Sequence, residues 1–133
     1  MIQEVKGFVI TTTERRNIMY LGNFENKNDV QQEFQCSDED MEGVKILLAW
    51  YGYGDYDGSA FVLFDRDGKL YEVNGGHCSC YGLEEQWGPE ETSVAELRHR
   101  LKNGSLGQDA YYGEGVFDKQ LKGVLDRWAR AHR

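Results

Sequence analysis

Three apolar runs in the centre of the chain predict a sheet. Residues 44–53 (VKILLAWYGY), 59–64 (SAFVLF) and 69–73 (KLYEV) are rich in β-branched and aromatic residues. The run over 59–64 is almost continuously apolar, which is typical of a strand that is buried on both faces. Because an Asp-Arg-Asp-Gly turn signal separates the second run from the third, we predict a three-stranded antiparallel meander with 59–64 in the middle.

Weaker patterns precede this meander. Residues 3–12 are rich in β-branched residues and predict a first strand, and residues 17–24 predict a second, shorter one. In residues 26–34 the apolar positions are spaced four apart, which indicates a short helix. Ser37 and Asp40 have the spacing of a capping box and predict a helical turn after that helix.

Two helices are predicted after the meander. Ser93 and Glu96 form a capping box, and the helix that they open ends at Asn103-Gly104. A second helix is predicted over residues 116–131, with basic residues off its apolar stripe. That stripe consists of Val116, Phe117, Leu121, Val124, Leu125 and Trp128.

This order of elements predicts the α+β class, with an antiparallel β-meander packed by a mid-chain helix and a C-terminal amphipathic helix. The length of 133 residues fits one domain, so we expect residues 1–133 to fold as a single unit. No apolar run approaches the roughly 20 residues that span a bilayer, and no signal-peptide pattern opens the chain. We therefore expect a cytoplasmic protein that does not bind membranes.

The formal net charge of −8 is distributed unevenly. Residues 25–57 carry nine acids and two bases, residues 58–96 carry eight acids and two bases, and residues 97–133 carry four acids and eight bases. An acidic body repels nucleic-acid phosphates and attracts basic surfaces, including protein grooves that hold nucleic acid. The alternative is that the acids only keep the protein soluble.

Aromatic residues stand among the acids of residues 50–57. Tyr and Trp rings supply the rigid contact area of interface hot spots, and rings surrounded by carboxylates suit a basic protein partner. The alternative is that Trp50, Tyr51 and their neighbours close the sheet edge and pack on the helices. A second aromatic group in predicted loops comprises Tyr81, Trp87, Tyr111 and Tyr112. We predict a partner-binding surface formed by Asp38, Glu39, Asp40, Tyr53, Asp55, Tyr56 and Asp57.

The segment His77-Cys78-Ser79-Cys80 combines the side chains that zinc prefers. In an extended segment Cys78 and Cys80 point the same way, and Cys36 or His99 would complete a site from elsewhere. The spacing is not the usual C-x₂₋₄-C, so a zinc site at His77, Cys78, Cys80 and Cys36 is the minority hypothesis. A cysteine nucleophile beside a histidine is another alternative, and plain packing of the thiols is the third.

The segment from residue 59 to about 107 contains the words YEVNG, HCSCYG and WGPEET, followed by a predicted helix. This pattern resembles a family of small uncharacterised proteins of bacteriophages and bacterial mobile elements. The resemblance implies a genomic context in which proteins of this size often inhibit host defences, such as CRISPR effectors or restriction enzymes. Several such inhibitors are acidic and occupy nucleic-acid-binding grooves.

Charge and resemblance together predict a phage-derived accessory protein that works without catalysis and without a cofactor. It would bind a host protein with a basic surface, such as a CRISPR effector, and occlude that surface without touching nucleic acid itself. The alternatives are a zinc-supported binding domain and a small cysteine-dependent enzyme.

Overall fold

The computed structural model describes residues 18–53, 58–78, 81–108 and 115–132, and of Tyr53 it describes the backbone only. The predicted meander lies at the centre of this structure. Within these ranges the chain forms one five-stranded sheet and three helices, which confirms the α+β class. The elements are β1 (Met19–Gly22), α1 (Lys27–Phe34), β2 (Lys45–Tyr53), β3 (Gly58–Arg66), β4 (Lys69–His77), β5 (Glu90–Thr92), α2 (Val94–Asn103) and α3 (Asp118–Ala131).

Strands β2, β3 and β4 pair antiparallel in chain order, and β3 is the middle strand, as predicted. The six residues from Ala60 to Asp65 are all buried, because helices or loops cover both faces of this strand. The hairpin turn between β3 and β4 is closed by a hydrogen bond of 2.9 Å from the Gly68 amide to Asp65 Oδ1.

Strand β1 pairs parallel with β2, and α1 forms the crossover between them. This β1–α1–β2 unit confirms part of the strand predicted over 17–24, whereas the strand predicted over 3–12 lies outside the described residues. Gly22 ends β1 with a φ of 67°, and a Cβ atom at this position would lie 2.3 Å from the Tyr51 carbonyl oxygen. Only glycine fits this close approach of two backbones.

The first core lies on the side of the sheet that α1 covers, here called the α1 side. Helix α1 begins at the N-cap Asn26, whose side chain accepts a hydrogen bond of 2.8 Å from the Asp29 amide. Its two buried residues, Val30 and Phe34, are spaced four apart and so face the sheet together. They pack on sheet residues that include Ile46, Ala49, Val62, Phe64 and Val73.

The second core lies on the opposite side, here called the α2/α3 side. Helix α3 contributes Leu121, Val124 and Leu125, and α2 contributes Leu97. The capping box that the sequence predicts for α2 is confirmed, since Ser93 Oγ accepts from the Glu96 amide at 3.1 Å. None of the described helices is long and apolar enough to cross a membrane.

Helix α3 begins at Asp118, two residues later than its apolar stripe predicts. The amides of Val116 and Phe117 both donate to the Gly107 carbonyl, at 2.7 and 3.0 Å. These bonds hold Val116 and Phe117 in the preceding loop, although Phe117 is buried in the same core as the helix.

Candidate protein-binding face

The segments that cover the α1 side carry an excess of carboxylates. Residues 23–44 contain seven acids and one lysine, and residues 81–89 contain two acids and no base. Buried apolar residues, among them Val30, Met41 and Leu83, anchor these segments on this side. We define the acidic face as the exposed acids of these segments: Glu25, Glu33, Asp38, Glu39, Asp40, Glu42 and Glu85.

Two basic side chains on this side donate to backbone carbonyl groups. Lys27 Nζ lies 2.6 Å from the Val44 oxygen, and burial lowers the pKa of Lys27. Arg66 Nη2 lies 3.3 Å from the Asp40 oxygen, and its guanidinium stands 5.3 Å from the Phe64 ring centre. Among the described contacts, neither cation forms an ion pair with the acidic face, so the carboxylates of this face keep their negative charge towards solvent.

Three predicted partner-binding residues, Asp38, Glu39 and Asp40, are exposed on a turn that follows α1. The predicted pairing of Ser37 with Asp40 is confirmed in both directions, at 3.0 Å from each amide to the other side chain. Asp38 Oδ1 also accepts a bond of 2.8 Å from the Gln31 amide group. The turn is therefore held by its own side chains, and it presents these acids from a fixed backbone.

The helices that cover the α2/α3 side have the opposite net charge. Helices α2 and α3 together contain seven Lys or Arg residues and three acids. Part of this charge is paired, since Arg98 lies 2.9 Å from Asp126 and Arg100 contacts Glu72 of the sheet. The described segments that cover the two sides of the sheet thus differ in the sign of their net charge, which the linear sequence indicated only as an acidic centre and a basic end.

Two rings of the predicted aromatic cluster pack inside the protein, which is the alternative that the sequence left open for them. Tyr51 is 4% exposed and packs 5.3 Å from Phe24, and Trp50 packs 5.2 Å from Phe117 on the other side of the sheet. These two rings belong to the cores because alternate residues of β2 face its two packed sides. The side chain of Tyr53, and the whole of Asp55, Tyr56 and Asp57, lie outside the described residues.

The loop 81–89, which contains part of the HCSCYG and WGPEET words, folds back onto the edge of β4. Leu83 is fully buried, and the Trp87 ring lies 5.3 Å from Phe34 and 5.7 Å from Phe64. The side-chain oxygen Oε1 of Gln86 accepts a hydrogen bond of 2.8 Å from the backbone N–H of Gly76. The side-chain nitrogen Nε2 of Gln86 donates one of 2.7 Å to the backbone carbonyl of Gly76. This side chain therefore pairs with the β4 edge much as a neighbouring strand would.

Tyr81 is the only large apolar residue that is exposed in the described part of the chain, with 54% of its surface accessible. It lines a surface cavity of about 450 Å³ together with Glu84, Glu85 and Gln86. Glu84 Oε1 accepts a bond of 3.0 Å from the Gly82 amide, and such backbone hydrogen bonds hold the pKa of Glu84 below its usual value. No sequence pattern singles out Glu84 or Glu85, although the apolar residues Leu83 and Trp87 mark the buried side of this loop.

The predicted zinc ligands are only partly described. His77 Nδ1 lies 3.4 Å from the Tyr51 hydroxyl, Cys78 pairs with Tyr81 through its backbone amide, and Cys80 lies outside the described residues. Burial, together with the charge of Asp40, raises the pKa of Cys36 to about 11, so this thiol is protonated at neutral pH. Among the described side chains, no group of three His, Cys, Asp or Glu is placed to hold a metal ion.

Comparison of the chain with protein-family models, curated proteins and solved structures gave no match. The fold and the charge distribution define an α+β protein. One side of its sheet is covered by acidic segments that include α1, and the other side is covered by the basic helices α2 and α3.

Proposed function

We propose that this chain is a phage-derived accessory protein that binds a host defence protein, of the CRISPR or restriction type, and inhibits it. The acidic face would occupy a basic surface that otherwise holds nucleic acid, and no chemical step is involved. The observation that carries the proposal is the excess of exposed carboxylates on the segments that cover the α1 side, opposite the basic helices α2 and α3.

The physical basis is electrostatic complementarity. Carboxylates held on a fixed turn present negative charge to a basic groove in place of phosphates, which raises the association rate and disfavours acidic partners. Each exposed ion pair contributes only about 0.2–1 kcal/mol, so the seven acids of the face account for a few kcal/mol at most. The remaining affinity must come from apolar contact, for which Tyr81 is the exposed ring among the described residues.

The test is a plaquing assay on bacteria that express the chain and carry one defence system at a time, either a CRISPR effector or a restriction enzyme. We expect the chain to raise the plaquing of a targeted phage against at least one system, and to co-purify with that system's nucleic-acid-binding subunit. Absence of protection against every system of a broad panel would contradict the proposal.

A pair of variants separates the acidic face from net charge. Glu39→Gln/Glu42→Gln removes two negative charges from the face and spares Asp40, whose carboxylate stabilises the turn. Ala95→Lys/Ala131→Lys changes the net charge equally, at exposed positions of α2 and α3. We expect the first variant to bind the host protein about 2- to 30-fold more weakly and the second to bind as the parent does. Equal loss in both would refute the role of the face.

The two alternatives from the sequence are tested with the same assay. Cys78→Ser/Cys80→Ser removes the thiols that a zinc-supported domain or a cysteine-dependent enzyme requires. We expect this variant to protect the phage as the parent does, with an unchanged circular dichroism spectrum. Loss of protection in a folded variant would favour one of these alternatives, and metal analysis of the purified parent would then distinguish them.

A further inference from the structure

The cavity beside Tyr81 combines features that the fold itself does not require. Most side chains around it support the structure: Leu83 is buried, Trp87 packs in the first core, and Gln86 binds the β4 edge. Tyr81 and Glu85, by contrast, point their side chains to solvent in the described structure. Ligand sites are commonly lined by aromatic side chains together with a few polar groups in set positions, which is the combination found here.

The backbone around this cavity is fixed in advance. The Gln86 amide group donates to the carbonyl groups of both Gly76 and Gly82 at 2.7 Å, which ties the loop to itself and to the sheet. Glu84 accepts from the Gly82 amide, so its carboxylate also has a set position. A site with such fixed walls loses little conformational freedom when a ligand enters.

The chemistry of the lining selects a cation. Of the four lining residues that the structure describes, two carry carboxylates and one carries an aromatic ring, and residues 81–92 contain no base. A ring face attracts a positive charge through its quadrupole, and a neighbouring carboxylate accepts two parallel hydrogen bonds from a guanidinium. An ammonium group is compact and strongly hydrated, whereas a guanidinium is flat, stacks on rings and is less hydrated.

We propose that this cavity binds the side chain of an arginine that projects from the basic surface of the partner. The assignment rests on the proposed function, since the arginine belongs to the partner that the acidic face would bind. The cavity lies on the α1 side, where Leu83 and Trp87 pack in the first core, and Glu85 belongs both to its lining and to the acidic face. The arginine stacks on the Tyr81 ring and donates to Glu85, while Gln86 keeps its bonds to the backbone. The volume of about 450 Å³ admits such a side chain and falls within the range of ordinary ligand sites.

The test uses purified protein and synthetic peptides, so it does not depend on the host partner. The probe is an N-acetylated tri-arginine peptide amide, with the tri-citrulline and tri-lysine peptides as neutral and ammonium controls. We expect the tri-arginine peptide to shift the NMR signals of residues 81–86, and its δ-methylene protons to give nuclear Overhauser contacts to the Tyr81 ring. The lysine peptide should bind several-fold more weakly, and the citrulline peptide should not bind.

Variants distinguish the contributions of the Tyr81 ring and the Glu85 carboxylate from nonspecific electrostatic attraction between the peptide and the protein. Tyr81→Leu and Glu85→Gln should each weaken tri-arginine binding by about two- to fivefold, and the double variant by about tenfold. Tyr81→Phe keeps the ring and should bind within twofold of the parent, while Glu90→Gln removes one exposed charge of β5, outside both the cavity and the acidic face, and should behave likewise. Amide spectra of each variant establish that it is folded.

The outcomes divide clearly. Equal affinity for tri-arginine and tri-lysine, unchanged binding by the double variant, or binding without contacts to Tyr81 would each overturn the arginine assignment. These results leave the plaquing assay unaffected, and failure of that assay leaves the peptide result intact. A failure of the arginine assignment can therefore be distinguished from a failure of the proposed function.

Discussion

Arg100 of α2 donates to the carboxylate of Glu72 in β4, so a helix and the sheet meet at an ion pair whose acidic side chain is only 7% exposed. Asn74 donates to the same carboxylate at 2.9 Å, and Glu96 lies 3.1 Å from the Arg100 Nε atom. On α3, Trp128 likewise donates to Asp65 of β3 at 2.9 Å. Both helices of the α2/α3 side are thus fixed to a buried acid of the sheet.

Removal of the Arg100 guanidinium should destabilise the protein, because it leaves the Glu72 carboxylate buried without its cation. We expect Arg100→Met to lower the free energy of unfolding by about 2–3 kcal/mol, less than for a fully buried pair, since Arg100 is one-third exposed. Arg98→Met is the matched control: its partner Asp126 is exposed, so a loss below about 1 kcal/mol is expected in urea unfolding. Equal losses in the two variants would contradict the buried character of the Glu72 pair.

The same pair predicts how stability depends on pH. Burial by itself raises the pKa of Glu72, but the hydrogen bonds from Arg100 and Asn74 and the Arg100 charge outweigh it and hold the pKa below its usual value. The stabilisation is therefore complete above the unfolded pKa of about 4.3 and is lost as the pH falls through the lower folded value. Urea titrations between pH 7 and pH 3 should show a steeper decline for the parent than for Glu72→Gln. Parallel curves would be evidence against this linkage.

The loop 81–89 should depend on one amide side chain. Gln86→Ala removes three hydrogen bonds and leaves the Gly76 amide and carbonyl unpaired, so we expect a loss of about 1–3 kcal/mol. Hydrogen exchange at the Gly76 amide should accelerate at least tenfold relative to amides in the centre of β3. Gln32→Ala, on the exposed surface of α1, is the control and should leave both quantities unchanged. A Gly76 amide that remains protected in Gln86→Ala would exclude this role.

Cys36 should react slowly with alkylating agents. Its pKa of about 11, against a usual value of 9.0, reduces the thiolate fraction at pH 8 by about a hundredfold, and the thiol is also half-buried. We expect iodoacetamide to modify Cys36 about two orders of magnitude more slowly in the native protein than in 8 M urea, as read by peptide mass spectrometry. Comparable rates in the two conditions would show that the thiol is not shielded.

The elements with strong local patterns could be predicted from the sequence. The continuous apolar run of β3, the reciprocal pair of Ser37 and Asp40 and the capping box of α2 each depend on neighbours in the chain, and all three are present. Strand β5 and the parallel pairing of β1 could not be predicted in this way. Both are short, and they pair with residues that are about 20 to 30 positions away in the chain.

The candidate site was less predictable for a related reason. No local pattern distinguishes the partly buried Trp50 and the buried Tyr51 from the exposed Tyr81. The burial of each ring depends on which helix or loop covers it. The acids at 38–40 are exposed, as a partner-binding surface requires, and charged residues of this kind are rarely buried without a partner. Their segregation from the basic helices depends on the side of the sheet that each helix covers, which is a property of the tertiary fold.

The opposite net charges of the segments that cover the two sides give the described part of the molecule an electric dipole across the sheet. In the field of a highly basic partner such a molecule experiences a torque, and it rotates during approach until the α1 side leads. Most encounters then begin in a productive orientation rather than at random. The guidance is lost once mobile ions shorten the reach of the field to about 3 Å, as they do at 1 M salt, because the partner then acts on the nearest side chains only.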